Sequence, residues 1–252
     1  MFRLLLLLLL AAPLTLHAKH RVVHVLVALC DNEHQGIVKV PAGIGNGQQP
    51  RTNLYWGAGY GVRTHFDRAA EWVRVPVAAA GVTHILERVA WKHRDSAVYL
   101  VADAYDGRNI REATEDLLRY ASGAAGSTVQ LEGRSVGIGG GADLVGYIGH
   151  DGLMDFALDA SYPARDARTR ETIILACISK RYFAPHLRTT GASPLLWTTG
   201  LMAPEAYTLK AALEGWVRRE PATAVQERAA QAYNTYQKCG INGARRLLVT
   251  GW

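Results

Sequence analysis

Five apolar runs rich in Val, Ile and Leu alternate with amphipathic or polar segments along the chain. The pattern predicts strands at residues 21–30, 97–107, 142–150, 172–179 and 193–200. The longest runs, such as "RVVHVLVALC", are apolar at nearly every position, without the strict alternation of a half-exposed strand. They are therefore typical of strands buried on both faces, as in a mainly parallel sheet.

Amphipathic segments between these runs predict helices. In "NIREATEDLLRYASG" the apolar residues recur at helical spacing, and Gly123 marks the end. Further helices are predicted at 180–191, 203–219 and 222–240, and a helix with edge strands within 69–92. Strands alternating with helices indicate an α/β fold with a mainly parallel sheet, a three-layer sandwich, formed by residues 19–252 as a single domain.

One long segment, residues 31–63, follows neither period. It is rich in Gly, Asn, Gln and Pro and connects the first strand to the next predicted elements. Long irregular loops inside compact domains are often functional. We therefore expect this loop to border a binding site.

The first eighteen residues have the pattern of a secretory signal peptide. Arg3 precedes seven consecutive leucines, and Ala18 supplies a small residue for cleavage. The apolar stretch is shorter than the roughly 20 residues that span a bilayer, so an uncleaved anchor is the minority interpretation. We predict a secreted or periplasmic protein with no membrane attachment after cleavage.

Composition narrows the classes of function. A hydrophobic fraction of 49% and a charged fraction of 20% are typical of a globular domain. The net charge of +6 comes from scattered Lys and Arg residues, which does not favour nucleic acid as a partner. The three cysteines, Cys30, Cys177 and Cys239, form no zinc-binding pattern, and an odd number in an oxidising compartment leaves at least one unpaired within the chain.

Polar residues gather where the predicted strands end. In an open parallel sheet, ligands bind outside the carboxyl ends of the strands, so the pattern predicts one site at one edge of the sheet. The residues concerned are Cys30, Asp31, Asn32, Asp103, Asp106, His150, Asp151, Cys177 and Ser179.

Within this set, His150 and Cys177 are a candidate catalytic pair. A cysteine nucleophile needs a base to form the thiolate, and an imidazole on a neighbouring strand end can supply it. A backbone N–H near Gly152 could then stabilise an oxyanion. The alternative is that Cys177 is an inert, buried small hydrophobic residue.

The motifs "YIGHDG" and "ILACIS" resemble those of the caspase-like cysteine peptidases, which include caspases, legumains, gingipains, clostripain and separases. The secreted, gingipain-like bacterial branch is most similar in setting. The resemblance implies a parallel sheet with helices on both faces. It also implies His150 as general base and acid, Cys177 as nucleophile, and the amides of Gly152 and Cys177 as oxyanion donors. In this sequence Asp151 stands between the histidine and the glycine, and the spacing of 27 residues is short for the family.

The implied activity is hydrolysis of a peptide or protein substrate without a cofactor or metal. Asp31, Asp103 or Asp151 would orient the histidine or read the substrate side chain next to the cleaved bond. The predicted substrate-binding residues are Asp31, Asn32, Asp103, Asp106, Asp151, Ser179 and Trp197.

Two alternatives to a cysteine hydrolase stay open. One is an inactive caspase-like module that binds peptide or glycan through the long loop and through aromatic residues expected on exposed loops: Tyr55, Trp56, Tyr60, Trp197 and Tyr207. The other is a metal-dependent hydrolase that uses His150, Asp103, Asp106, Asp151 and Asp155. Cys30 is expected to pair either with Cys239 or with Cys177.

Overall fold

The computed structural model describes residues 20–252 of the chain. The predicted signal peptide lies outside the described residues. The strands are β1 (Arg21–Ala28), β2 (Trp72–Val75), β3 (Ile85–His93), β4 (Val98–Tyr105), β5 (Gly126–Leu131), β6 (Arg134–Gly139), β7 (Leu144–Ile148), β8 (Glu171–Leu175), β9 (Ser193–Thr198) and β10 (Leu248–Val249).

The described chain forms one large mixed sheet in the order β10-β9-β8-β7-β1-β4-β3-β2. The five central strands β9, β8, β7, β1 and β4 are parallel, and β10, β3 and β2 add antiparallel edges. The central five are the strands that the apolar runs predict. Their carboxyl ends therefore meet at one edge of the sheet.

Helices cover both faces of the sheet. They are α1 (Val62–Asp67), α2 (Ile110–Ala121), α3 (Ser179–Leu187), α4 (Ala206–Val217), α5 (Ala222–Gln237) and α6 (Ile241–Leu247). The alternation of side chains along β1 shows the two layers. Val23, Val25 and Val27 pack in the core with residues of α1, α4, α5 and α6, whereas Val22 and Leu26 pack with α2, α3 and the β5–β6 hairpin.

The predicted α/β class with a mainly parallel sheet is confirmed, and the layers fit a three-layer sandwich. The helix expected within residues 69–92 lies earlier, at α1, and that segment instead holds the edge strands β2 and β3. The hairpin β5–β6 and the C-terminal pair α6 and β10 were not predicted. They are short, and tertiary contacts, not apolar periodicity, stabilise them: the hairpin packs in the core with α2, and β10 pairs with β9.

Candidate active site

His150 and Cys177 occupy equivalent positions beyond two neighbouring parallel strands. Ile148 of β7 pairs with Leu175 of β8, and each candidate residue lies two positions further along its chain. Neighbouring strands lie about 4.8 Å apart, so this register brings the two residues to the same place on the sheet edge. Both line one cavity of about 300 Å³.

The backbone turns sharply at both strand ends. Gly149 has φ +147°, and a Cβ at this position would lie 2.7 Å from the carbonyl oxygen of Ala28 in β1. Only glycine fits there. Ile178, directly after Cys177, has φ +51°, which is costly for a β-branched residue. Such backbone strain concentrates at functional sites.

The Cys177 thiol is half-buried and hydrogen-bonded to the backbone of Met202. Its S–H donates to the Met202 carbonyl oxygen at 3.6 Å, and the Met202 N–H donates to the sulfur at 3.4 Å. Burial raises the pKa of Cys177, and this backbone hydrogen bond only partly offsets that effect. The thiol is therefore protonated at neutral pH, and a nucleophilic role requires a base.

The His150 imidazole is held by a carboxylate. Its Nε2 lies 2.8 Å from Asp155 Oδ2, and that oxygen also accepts a hydrogen bond from the Gly36 N–H at 2.9 Å. This partner favours the tautomer with the proton on Nε2, which leaves Nδ1 as the basic nitrogen. The Tyr147 hydroxyl donates to the His150 carbonyl oxygen at 2.7 Å and fixes the backbone. His150 and Asp155 are thus arranged as a general base and the carboxylate that orients it.

Asp155 was not predicted for this role. From the sequence, the carboxylate five residues after the histidine is expected to be a metal ligand or a solvated side chain. A short 3₁₀ turn at Gly152–Met154 brings Asp155 back toward His150. Spacing alone does not encode that turn, although Asp151 and Gly152 are residue types that favour one.

Asp151 is not part of the cavity wall. The side chain is fully buried, and Oδ1 accepts a hydrogen bond from the Leu153 N–H at 3.0 Å at the start of the 3₁₀ turn. Oδ2 has no hydrogen-bond partner. Burial, with a smaller contribution from the Asp155 charge, raises the pKa of Asp151 to about 7. A buried carboxyl without a basic partner does not fit the predicted contact with substrate.

Gly152 is buried against an aromatic ring. A Cβ there would lie 2.7 Å from the tip of the Phe156 ring, so a larger residue would force that ring to shift. Its predicted role as an oxyanion donor remains a prediction.

The long loop after β1 forms one wall of the cavity, as expected for a functional loop. Gly36, Ile37, Val38 and Tyr55 all line it. Asn32 stabilises the loop and does not face the cavity, because its amide donates to the Val40 carbonyl and accepts from the Val40 N–H.

Asp31 and Asp106 come together beside the loop but outside the cavity wall. Gln48 Nε2 bridges them, at 2.7 Å from Asp31 Oδ2 and 2.8 Å from Asp106 Oδ1. Burial opposes ionisation of both groups, but hydrogen bonds, led by that from Gln48 to Asp31 and that from Arg108 to Asp106, hold each pKa below its usual range. These carboxylates stabilise the loop.

Three predicted substrate-binding residues are fully buried in the body of the fold. Asp103 pairs with Arg88, whose Nε lies 2.6 Å from Oδ1. The Ser179 hydroxyl donates to the Ile174 carbonyl oxygen, and the Trp197 indole donates to the Gly251 carbonyl oxygen. None of the three lines the cavity, because each side chain is buried within the fold and hydrogen-bonded there.

The expectation of exposed aromatic residues is wrong for most of the set. Tyr55, Trp56, Trp197 and Tyr207 are buried. Tyr55 and Trp56 pack the long loop onto the core, whereas Trp197 lies in β9 and Tyr207 in α4. Only Tyr60 is exposed. Large aromatic residues between strands pack as readily as they bind ligands, and the sequence does not distinguish the two.

The cysteines are all unpaired in residues 20–252. Neither expected disulfide of Cys30 is present. Cys30 is buried, and burial raises its pKa to about 11, despite a hydrogen bond from Tyr55. Cys239 is exposed and lies two residues after the end of α5. Cys177 is therefore the cysteine that the fold places in a cavity.

Within residues 20–252, no group of three or more His, Cys, Asp and Glu side chains is arranged to hold a metal ion. No helix in this range has the length and apolar character needed to cross a membrane. Comparison of the chain with protein-family models, with curated proteins and with solved structures found no match.

Proposed function

We propose that this chain is an exported cysteine-dependent hydrolase of the caspase-like type that cleaves peptide or protein substrates. One observation carries the proposal: His150 and Cys177 follow neighbouring parallel strands at matched register and line the same cavity. The strands concerned are the third and fourth of the parallel set in chain order, as the resemblance implies.

The proposed reaction begins with transfer of the Cys177 thiol proton to His150 Nδ1. The sulfur attacks the carbonyl carbon, and the carbonyl electrons move to oxygen. The tetrahedral intermediate collapses as the C–N bond breaks, and the imidazolium gives its proton to the departing amine. Water, deprotonated by the same imidazole, then cleaves the thioester and releases the acid.

The Asp155 carboxylate stabilises the imidazolium that forms during each step. It also holds the ring so that Nδ1, not Nε2, is the free nitrogen. The amides of Gly152 and Cys177 would donate to the oxyanion. Cys177 also lies two residues before the N-terminus of α3, and the partial positive charge of a helix N-terminus favours a thiolate.

Turnover of a panel of fluorogenic peptides tests the proposal. Cys177→Ala and His150→Ala should each reduce turnover to background while circular dichroism shows a retained fold. Cys239→Ala, the same change at an exposed cysteine, should leave turnover unchanged. Equal turnover by the wild type and Cys177→Ala would refute the assignment.

A second candidate function is a binding module without catalysis. The observation that favours it is the Cys177 sulfur, which is hydrogen-bonded to Met202 as donor and acceptor and has a raised pKa. Thiol labelling of the folded Cys239→Ala variant distinguishes the hydrolase from the binding module. In this variant Cys177 is the accessible thiol, because Cys30 is buried. Fast labelling of Cys177 supports the hydrolase, and no reaction supports the module.

Export rests on the sequence of residues 1–18. Expression of the full chain in a bacterial host, followed by cell fractionation and N-terminal sequencing, tests it. We expect a periplasmic or secreted product that begins at Lys19. A cytoplasmic product that retains Met1 would contradict export.

A further inference from the structure

The cavity beside Cys177 has an apolar wall. Apart from the reacting pair, its side chains include Ile37, Val38, Met154, Leu201, Met202 and Pro204. No Asp, Glu, Lys or Arg of the described chain lines it. Asp155, the carboxylate that contacts His150, already accepts hydrogen bonds from His150 and Gly36.

The rim of the cavity carries exposed apolar residues. Val38 is 92% exposed and Leu201 is 71% exposed, the two highest values among the large hydrophobic residues of the described chain. Met154, at 39%, adjoins them. Single exposed apolar residues are ordinary, but several gathered around one concavity mark a surface that binds an apolar group.

The volume of the cavity and its lack of charged lining residues together indicate which kind of side chain it binds. A volume of about 300 Å³ is at the lower end for ligand sites and suits one or two side chains of an extended peptide. A carboxylate or ammonium group placed there would lose its hydration without gaining an oppositely charged partner. An aliphatic side chain has no charge whose hydration would be lost, and it gains free energy by burying apolar surface.

We propose that this cavity is the specificity pocket of the enzyme and that it binds an aliphatic side chain, such as Leu or Met, next to the bond that is cleaved. This inference rests on the proposed function for the position of the cleaved bond. The apolar preference itself follows from the wall and rim, and can be measured without catalysis.

Binding to the Cys177→Ala variant tests the preference directly. Met154 and Met202 are the only methionines after Met1, so methyl-labelled methionine gives two NMR signals from the cavity. The probes are acetyl-Ala-Ala-X-amides with X as Leu, Asp or Arg. We expect the Leu peptide to shift both signals, with a Kd at least about tenfold lower than either charged peptide. Tighter binding of a charged peptide, or no shift with Leu, would overturn the proposal.

A substitution at the rim provides a second test in the same variant. Leu201→Arg should weaken the Leu peptide about tenfold and tighten the Asp peptide. Val82→Arg adds the same charge at an exposed apolar residue outside the cavity and should change neither. Identical effects of the two arginines would overturn the proposal.

Turnover by the wild type separates the two failures. If Leu peptides are cleaved fastest and Cys177→Ala abolishes cleavage, both proposals are supported. If a charged residue is preferred in Cys177-dependent cleavage, the specificity proposal fails while the hydrolase stands. If no peptide is cleaved but the methionine signals still shift with Leu, the hydrolase fails and the apolar pocket stands.

Discussion

Asp151 provides a test of the site that does not depend on catalysis. The carboxyl is fully buried, Oδ2 has no partner, and burial raises its pKa from 3.8 to about 7. Asp151→Asn keeps an oxygen that can accept from the Leu153 N–H and removes the ionisable group. The variant should therefore be more stable than the wild type at neutral and alkaline pH.

The sign follows from the protons bound in each state. Well below pH 3.8 the carboxyl is protonated in both folded and unfolded chains, and it does not change stability. As the pH rises toward 7, the unfolded chain releases the proton and the folded chain keeps it, so stability falls. Above pH 7 the loss is complete and amounts to about 4 kcal/mol, at 1.36 kcal/mol per pKa unit.

Urea unfolding at several pH values, followed by tryptophan fluorescence, measures this loss. The stability advantage of Asp151→Asn should grow by about 2–3 kcal/mol between pH 5 and pH 8. Asp159→Asn, the same change at an exposed carboxylate, should show no such growth. An advantage that does not vary with pH, or a variant less stable at pH 8, would refute the reasoning.

Three further outcomes are expected. Asp155→Asn keeps a neutral acceptor for the imidazole but removes the charge, and should lower kcat about 10²-fold in steady-state assays; an unchanged kcat would contradict its role. Arg88→Ala leaves the buried Asp103 carboxylate with His24 as its remaining partner and should reduce the free energy of unfolding by about 3 kcal/mol in urea; a change below about 1 kcal/mol would contradict the pairing. Gly149→Ala drives a Cβ into the β1 carbonyl and should cost about 1–3 kcal/mol, whereas Gly43→Ala, which meets no atom within 4 Å, should cost far less; equal losses would contradict the steric argument.

The apolar runs predicted the central sheet because a strand buried on both faces must be apolar at nearly every position. The same logic placed His150 and Cys177 at one edge, since the ends of parallel strands coincide. The edge strands and the β5–β6 hairpin have weaker apolar patterns, because one face of each is partly or largely exposed to solvent. Their positions depend on contacts distant in sequence.

The polar residues at the strand ends were harder to assign. The sequence places Asp31, Asp103 and Asp106 at or near the strand ends. It does not show whether these side chains face a cavity or form hydrogen bonds within the protein. The structure uses all three internally. Asp155, in contrast, contacts the candidate catalytic histidine although the sequence did not predict it. That contact depends on a 3₁₀ turn that no periodicity marks. The proposed apolar specificity likewise rests on Val38 and Leu201, which are far apart in sequence and which the fold brings to one cavity.

The central claim is that Cys177 is a nucleophile activated by His150, and a trapped acyl-enzyme tests it most directly. The protein would be mixed with a slowly hydrolysed peptide ester, quenched in acid and digested, and the acyl group located by mass spectrometry. We predict an acyl group on Cys177 in the wild type and none there in His150→Ala. An unmodified Cys177 in the wild type, or equal acylation in both proteins, would contradict the claim.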